Sequence, residues 1–113
     1  MNTQTFLERY IEHCQSALRE NEKVLGFLKN HGIYEQYLFE NFSLGYSNGS
    51  LLELIGENKE LRQLCEQIGI LQKGKELFRN TLLVPIYDEN KAVINIVGFN
   101  IHPQSKNRMT ILN

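Results

Sequence analysis

The feature that most constrains the fold is a pair of apolar, β-branched runs within residues 78–101, which read FRNTLLVPIYDENKAVINIVGFNI. The runs at 82–87 and 93–97 stand on either side of a short polar segment. Two such runs around a polar turn are typical of an antiparallel β-hairpin. Within the turn, Asp88 can accept backbone hydrogen bonds, and Asn90 tolerates the left-handed backbone conformation. The sequence therefore predicts a hairpin with Asn90 as its left-handed residue.

The composition excludes several classes of protein. A chain of 113 residues with 42% hydrophobic and 22% charged residues is an ordinary globular domain. Its net charge of −1 gives no overall attraction to nucleic acids or membranes, so polyanion binding would need a local patch. Neither a signal peptide nor a membrane-spanning run is present, which predicts a cytoplasmic protein without a membrane partner. Cys14 and Cys65 lie far apart without further metal ligands, which predicts reduced core thiols.

Helical spacing of apolar residues dominates the first part of the chain. We predict a cap for the first helix at Thr3 or Thr5, and a brief helix at 34–39. We also predict helix N-caps at Asn21, Ser50 and Asn58, and helix ends at Gly32 and Gly69.

The later part of the chain has β character, and residues 109–112 add a predicted third strand. The expected fold is α+β, with several N-terminal helices followed by a small antiparallel β-sheet built on the 79–101 hairpin. We expect one domain over 1–113, helical over 1–70 and β-rich over 76–113.

No catalytic constellation emerges from the motifs. The histidines at 13, 31 and 102 lack the spacing of a metal pair or a catalytic triad. The adjacent acids Asp88 and Glu89 are explained by the hairpin turn. The sequence therefore predicts no catalytic residue and no metal ligand.

Basic residues flank the hairpin on both sides. Lys73, Lys75 and Arg79 precede the first strand, while Lys106 and Arg108 follow the second. Because paired strands bring their outer ends together, these cations would converge at the end of the sheet opposite the turn. Such a patch can bind phosphates without sequence preference. The alternative is a solvated sheet rim without a ligand, which charge alone favours.

Four segments in a fixed order resemble the N-terminal subdomain of the bacterial DnaG-type primase catalytic core. They are FLKNHGI at 27–33, FSLGY at 42–46, GIL at 69–71 and FRNTLLVPIYD at 78–88. The family patterns are YLxxRGI, FxLGYA, GL and FRxRxxFPIxDxxGRVxGFGGR. The hairpin is most similar to that of primase-like proteins of plasmids and mobile elements, FxxSLVVPVxDxxGxVxxxYGR. The resemblance covers roughly residues 18–113.

In that family, the subdomain lies between a zinc-ribbon domain and a TOPRIM domain that holds the catalytic metals, and its basic residues line one wall of the template cleft. The resemblance therefore implies a piece of a primase-like nucleotidyltransferase that binds single-stranded DNA or a DNA/RNA primer-template. Divalent metal, Mg²⁺, is expected only in an absent TOPRIM domain, with no cofactor in this chain. We expect no activity from this chain alone.

The chain also departs from the family pattern at several cations. His31 stands where the family has arginine, and Thr81 replaces the second arginine of FRxR while Arg79 keeps the first. Phe99 stands in place of the arginine of the closing GR, and Asn90 replaces the turn glycine. Template binding by this copy is thereby put in question, while the expected fold is unaffected.

Two hypotheses follow from the resemblance and its departures. The first is a nucleic-acid-binding subdomain of a primase-like replication protein. Its binding residues would be Arg79, Lys106 and Arg108, with help from Lys73, Lys75 and His31. The second is a non-catalytic structural or protein-interaction module that kept the fold and lost the basic cleft. The missing arginines favour the second hypothesis, and the retained carboxy-terminal cations favour the first.

Overall fold

The structure is a computed structural model that describes residues 2–32, 42–101 and 109–113. The predicted helix at 34–39 lies outside the described residues. In chain order, the elements are α1 (Thr3–Arg19), α2 (Glu22–Asn30), β1 (Gly45–Ser47), α3 (Leu51–Ile55), α4 (Lys59–Ile68), β2 (Leu71–Gln72), β3 (Lys75–Glu76), β4 (Thr81–Tyr87), β5 (Val93–Asn100) and β6 (Met109–Ile111). The predicted α+β class is confirmed. Among the described helices, none is long and apolar enough to cross a membrane.

Asparagine side chains cap the N-terminal ends of three of the described helices. Asn21 and Asn58 accept hydrogen bonds from the third amide beyond each of them, as predicted for α2 and α4. The expected threonine cap of α1 is wrong, because Asn2 caps that helix by accepting from the amide of Thr5 at 2.8 Å. Ser50 precedes α3 without capping it through its side chain. Its hydroxyl instead lies 2.6 Å from the Nε2 of His13.

Four strands form an antiparallel sheet in the order β1-β4-β5-β6. The predicted hairpin pairs β4 with β5, and the predicted third strand is β6, which pairs with β5. One strand, β1, comes from within the first 70 residues and pairs with the start of β4, where Tyr46 lies opposite Leu82. The sheet therefore joins the middle of the helical part to the hairpin.

The β4–β5 turn is built on Asp88, as expected, but its left-handed residue is not. The carboxylate of Asp88 accepts from the amides of Asn90 and Ala92 at 2.8 and 2.9 Å. Positive φ occurs at Lys91 (65°), so the prediction for Asn90 was wrong. The amide of Lys91 donates to the carbonyl oxygen of Asp88 at 3.0 Å, so the left-handed residue is the last of a four-residue turn.

A second, two-stranded sheet was missed at the sequence level. Strands β2 and β3 form a hairpin whose two-residue loop is Lys73-Gly74. Both loop residues have positive φ, 53° and 76°. Positive φ at both positions is the type I′ conformation that matches the twist of the flanking strands. The segment expected to lead simply into the large hairpin is thus a small hairpin of its own.

Two hydrophobic clusters cover the two faces of the large sheet. The larger cluster packs α1, α3 and α4 against residues such as Leu83 and Ile96 on one face. The smaller cluster packs the end of α1 and α2 against Tyr46 and Leu82 on the other face. Beyond α2, that second face stays exposed at four large apolar residues, which are Ile86, Phe99, Met109 and Ile111.

Candidate nucleic-acid interface

Arg79 lies in the turn at 77–80, which joins β3 to β4 at the end of the large sheet opposite the Asp88 turn. The hydroxyl of Thr81 donates to the carbonyl oxygen of Arg79 at 2.9 Å and holds this turn. The side chain of Arg79 is exposed and lies along Gly49, the residue two beyond β1. A Cβ atom at Gly49 would lie 3.3 Å from both the Cγ and the Nε of Arg79. Glycine at this position therefore leaves room for the arginine.

Lys73 and Lys75 are exposed on the small hairpin that precedes this turn. Lys73 is the first residue of the type I′ loop, and Lys75 lies opposite Gln72. The hairpin leads directly into the Arg79 turn through Glu76. Three of the predicted cations thus belong to one continuous stretch of described backbone.

His31 caps the C-terminal end of α2, and among the described residues its side chain contacts Phe27 of that helix. Its Nδ1 donates to the carbonyl oxygen of Phe27 at 2.8 Å, and the two rings lie 4.2 Å apart. These contacts do not join His31 to the cations of the small hairpin.

Lys106 and Arg108 lie outside the described residues, so their predicted position stays a prediction. The strands around them have the expected arrangement. Thr81 pairs with Asn100, and Phe99 pairs with Met109. Hence β5 ends and β6 begins at the same end of the sheet at which β4 begins.

A buried carboxylate beneath this region was not predicted. Glu76 is only 7% exposed, and its Oε1 accepts hydrogen bonds from the hydroxyls of Tyr10 and Ser47, each at 2.6 Å. Its Oε2 is buried without a hydrogen-bond partner among the described residues. Burial, together with the nearby Cys14 and Glu76, raises the pKa of Tyr10 well above its ordinary value. The network ties β3 to α1 and β1, and so anchors the backbone that leads to Arg79.

The two cysteines are free, buried thiols, as the sequence predicted. Burial and the neighbouring Glu76 raise the pKa of Cys14 to about 12. Burial and Glu66 raise the pKa of Cys65 to about 11. A thiol that keeps its proton is a poor nucleophile and a poor metal ligand. Over residues 2–32, 42–101 and 109–113, no group of three or more His, Cys, Asp or Glu side chains could hold a metal ion.

Comparison with known families confirms the primase resemblance found in the sequence. The family model described as "DNA primase catalytic core, N-terminal domain" matches residues 11–110. The chain belongs to this family. A search of curated proteins found no sequence match. The narrower resemblance to plasmid and mobile-element proteins stays a prediction.

Solved primase structures share the fold of this primase-core domain. A DnaG primase catalytic domain bound to ssDNA has a TM-score of 0.85 and 19% identity, over 97% of this chain and 37% of that one. A DNA primase domain from Pseudomonas aeruginosa has 0.82 and 20%, with 97% and 37% coverage. The zinc-binding and RNA polymerase domains of the Aquifex aeolicus primase give 0.76 and 25%, with 93% and 27% coverage. The chain therefore spans well under half the length of these relatives.

Two departures from the primase pattern have different structural settings in this domain. Thr81 is 5% exposed, and its methyl group packs over Gly98 while its hydroxyl holds the Arg79 carbonyl. Phe99 is 43% exposed on the open face of the sheet. Position 81 thus contributes packing and a backbone hydrogen bond, whereas position 99 adds an apolar surface.

Proposed function

We propose that this domain forms part of the nucleic-acid-binding wall of a DnaG-type primase core. Arg79, Lys106 and Arg108 hold backbone phosphates of a single strand or primer-template, or an incoming triphosphate. Lys73, Lys75 and His31 assist them. The domain contributes binding and positioning, and a separate TOPRIM domain contributes the Mg²⁺-dependent chemistry.

The observation that carries this proposal is the setting of Arg79. Its exposed side chain lies along Gly49, on a turn that is braced by Thr81 and follows the anchored, buried Glu76. A guanidinium presents several donors in a fixed planar arrangement that suits phosphate oxygens. A fixed backbone reduces the entropy lost when such a side chain binds.

Family membership is the second support. Among the relatives with this fold, one is a primase catalytic domain bound to ssDNA, and another is a primase RNA polymerase domain in complex with double-stranded DNA. Zinc-binding and RNA polymerase domains occur together in a third. We infer that zinc-ribbon and TOPRIM domains of a parent protein are the partners of this domain, in a cytoplasmic replication complex.

The direct test is binding of a fluorescein-labelled, roughly 15-nucleotide single strand, followed by anisotropy across a salt series. Binding should weaken as salt rises from about 50 to 200 mM, with a logarithmic slope near 0.7 for each phosphate contacted. Arg79→Ala should weaken binding about tenfold and lower the slope by about one contact. Arg108→Ala should do the same.

Arg62→Ala is the matched control. Arg62 is also an exposed arginine, but it lies on α4 and pairs with Glu66 at 3.7 Å. Its loss removes the same charge and should change affinity less than about twofold, since Arg62 lies outside the proposed interface and an exposed charge is screened by salt. Equal effects of Arg79→Ala and Arg62→Ala would contradict a specific role for Arg79.

The second candidate is a structural or protein-interaction module. It is favoured by the open sheet face at Ile86, Phe99, Met109 and Ile111, since a contiguous apolar surface on a small domain is often functional. If the domain is such a module, it should not bind the single strand even at low salt, and Arg79→Ala should leave the anisotropy unchanged. The anisotropy series therefore separates the two candidates.

A further inference from the structure

A small apolar pocket lies between α1, α3 and α4, and it does not involve the cations of the proposed nucleic-acid interface. Its lining residues are Phe6, Arg9, Tyr10, Leu54 and Leu61, around a cavity of about 190 Å³. Pockets for metabolites and cofactors are larger, roughly 300–1,000 Å³. A cavity of about 150 Å³ is enough to bind benzene. The pocket therefore has the size of one large side chain rather than of a metabolite.

The floor of the pocket is aromatic and fixed. The rings of Phe6 and Tyr10 are almost fully buried, nearly parallel, and 6.2 Å apart. The hydroxyl of Tyr10 donates to Glu76 at 2.6 Å, which fixes the orientation of its ring. A floor held in this way costs little entropy when another apolar group packs on it.

The wall and the rim have different chemistry. Leu54 forms part of the wall and is 48% exposed, so a bound group can reach it from solvent. Arg9 stands beside it on the exposed side of α1. In the part of the chain that the structure describes, Arg9 has no hydrogen bond and no ion pair. The pocket thus combines apolar surface with one positively charged side chain, Arg9.

We propose that this pocket docks a partner peptide through one bulky apolar side chain with a carboxylate next to it. The apolar side chain fills the cavity on the Phe6–Tyr10 floor, against Leu54 and Leu61. The carboxylate accepts charge-assisted hydrogen bonds from the guanidinium of Arg9. Charge complementarity selects an acidic peptide, because Arg9 is the charged side chain among the described lining residues.

The test is a ¹⁵N NMR titration of the whole chain with three blocked tetrapeptides. Acetyl-Gly-Asp-Phe-Gly-amide carries both features, the Lys-Phe version reverses the charge, and the Asp-Ala version removes the apolar group. The Asp-Phe peptide should bind about tenfold more tightly than either of the others. Its shifts should concentrate on the residues that line the pocket. Equal affinities, or no shifts at the pocket, would overturn the proposal.

Variants of exposed residues keep the test independent of folding. Arg9→Gln should abolish the preference for Asp-Phe over Lys-Phe, because the charge contact is lost while the cavity remains. Leu54→Ala should weaken the Asp-Phe peptide about fivefold. Leu52→Ala is the matched control, since Leu52 is also exposed on α3 but does not line the pocket. Weakening of Asp-Phe binding by Leu52→Ala as large as that by Leu54→Ala would refute the assignment of the site.

Discussion

Gly98→Ala is the substitution whose effect on stability follows most directly from the geometry. Gly98 lies in β5, between Leu83 of β4 and Thr110 of β6. A Cβ atom at this position would lie 2.6 Å from the Cγ2 of Thr81 and 2.7 Å from the Cδ1 of Phe78. Favourable carbon–carbon contacts have separations of about 3.5–4.0 Å. The added methyl group would therefore overlap two buried neighbours by about 1 Å each.

Neither neighbour can move away easily. Phe78 is fully buried, and Thr81 is held by its hydrogen bond to the carbonyl of Arg79. Overpacking a well-packed core costs about 1–3 kcal/mol. Because two side chains overlap at once, we expect Gly98→Ala to lower the free energy of unfolding by about 2–3 kcal/mol. With a denaturant slope of roughly 1.5 kcal/mol/M, the urea midpoint would fall by about 1.3–2 M.

Gly26→Ala is the matched control for this measurement. Gly26 lies inside α2, and a Cβ atom there would have no heavy atom within 4 Å. Alanine lowers the entropy of the unfolded chain and favours the helix, so this change should raise the free energy of unfolding by about 0.5–1 kcal/mol. The same chemical change is thus expected to have opposite signs at the two sites.

A second variant tests the cause of the loss. Thr81→Ser removes the Cγ2 atom but keeps the hydroxyl that holds the Arg79 turn. In this background, Gly98→Ala should cost about 1 kcal/mol less than in the natural chain. Residues in direct contact normally show coupling of this size in double-mutant cycles. Additive effects of the two substitutions would refute the steric explanation.

Two further predictions concern Lys73 and the cysteines. Lys73→Asn should raise the free energy of unfolding, measured in urea, by about 0.5–1 kcal/mol, because asparagine tolerates the left-handed φ of 53° better than lysine does. The substitution should also weaken single-strand binding, because it removes a positive charge. A lower free energy of unfolding would contradict the assignment of this turn. Neither Cys14 nor Cys65 should react with Ellman's reagent at about pH 8 in the folded chain, whereas both should react in denaturant, since their pKa values are raised to about 12 and about 11. A raised thiol pKa stabilises the fold only while the unfolded thiol stays protonated, so the free energy of unfolding should fall as pH rises above about 9. Rapid reaction of the folded chain with the reagent at about pH 8 would contradict the raised pKa values of the two thiols.

The elements that were predictable have strong local signals. The alternation of apolar residues fixes which side chains of β4 and β5 share a face, and the caps at Asn21 and Asn58 need only their own helices. The small hairpin has no such signal. Strands of two residues are too short for a period, and Lys73-Gly74 is not the usual asparagine–glycine pair of a type I′ turn.

The candidate site was predictable only in part, for a different reason. The exposure of Arg79 follows from its charge, but its position over Gly49 depends on β1 pairing with β4. In the sequence, Glu76 follows Lys75 and precedes Leu77, a pattern that is typical of a solvated acid. Its burial depends on Tyr10 and Ser47, which are distant in sequence and reach it only in the folded chain. Contacts of this kind leave no periodicity for a sequence pattern to detect.

The pairing of β1 with β4 also has a consequence for the order of folding. Tyr46 pairs with Leu82 across two helices and the small hairpin, so this contact closes a long loop of chain. Closing long loops slows folding, because their entropy is lost before the contact is gained. While the chain is being synthesised, Leu18 and Leu28 have no sheet to cover, and Tyr46 has no strand to pair with, until Leu82 has left the ribosome. The early helices therefore depend on the last third of the chain for their final packing.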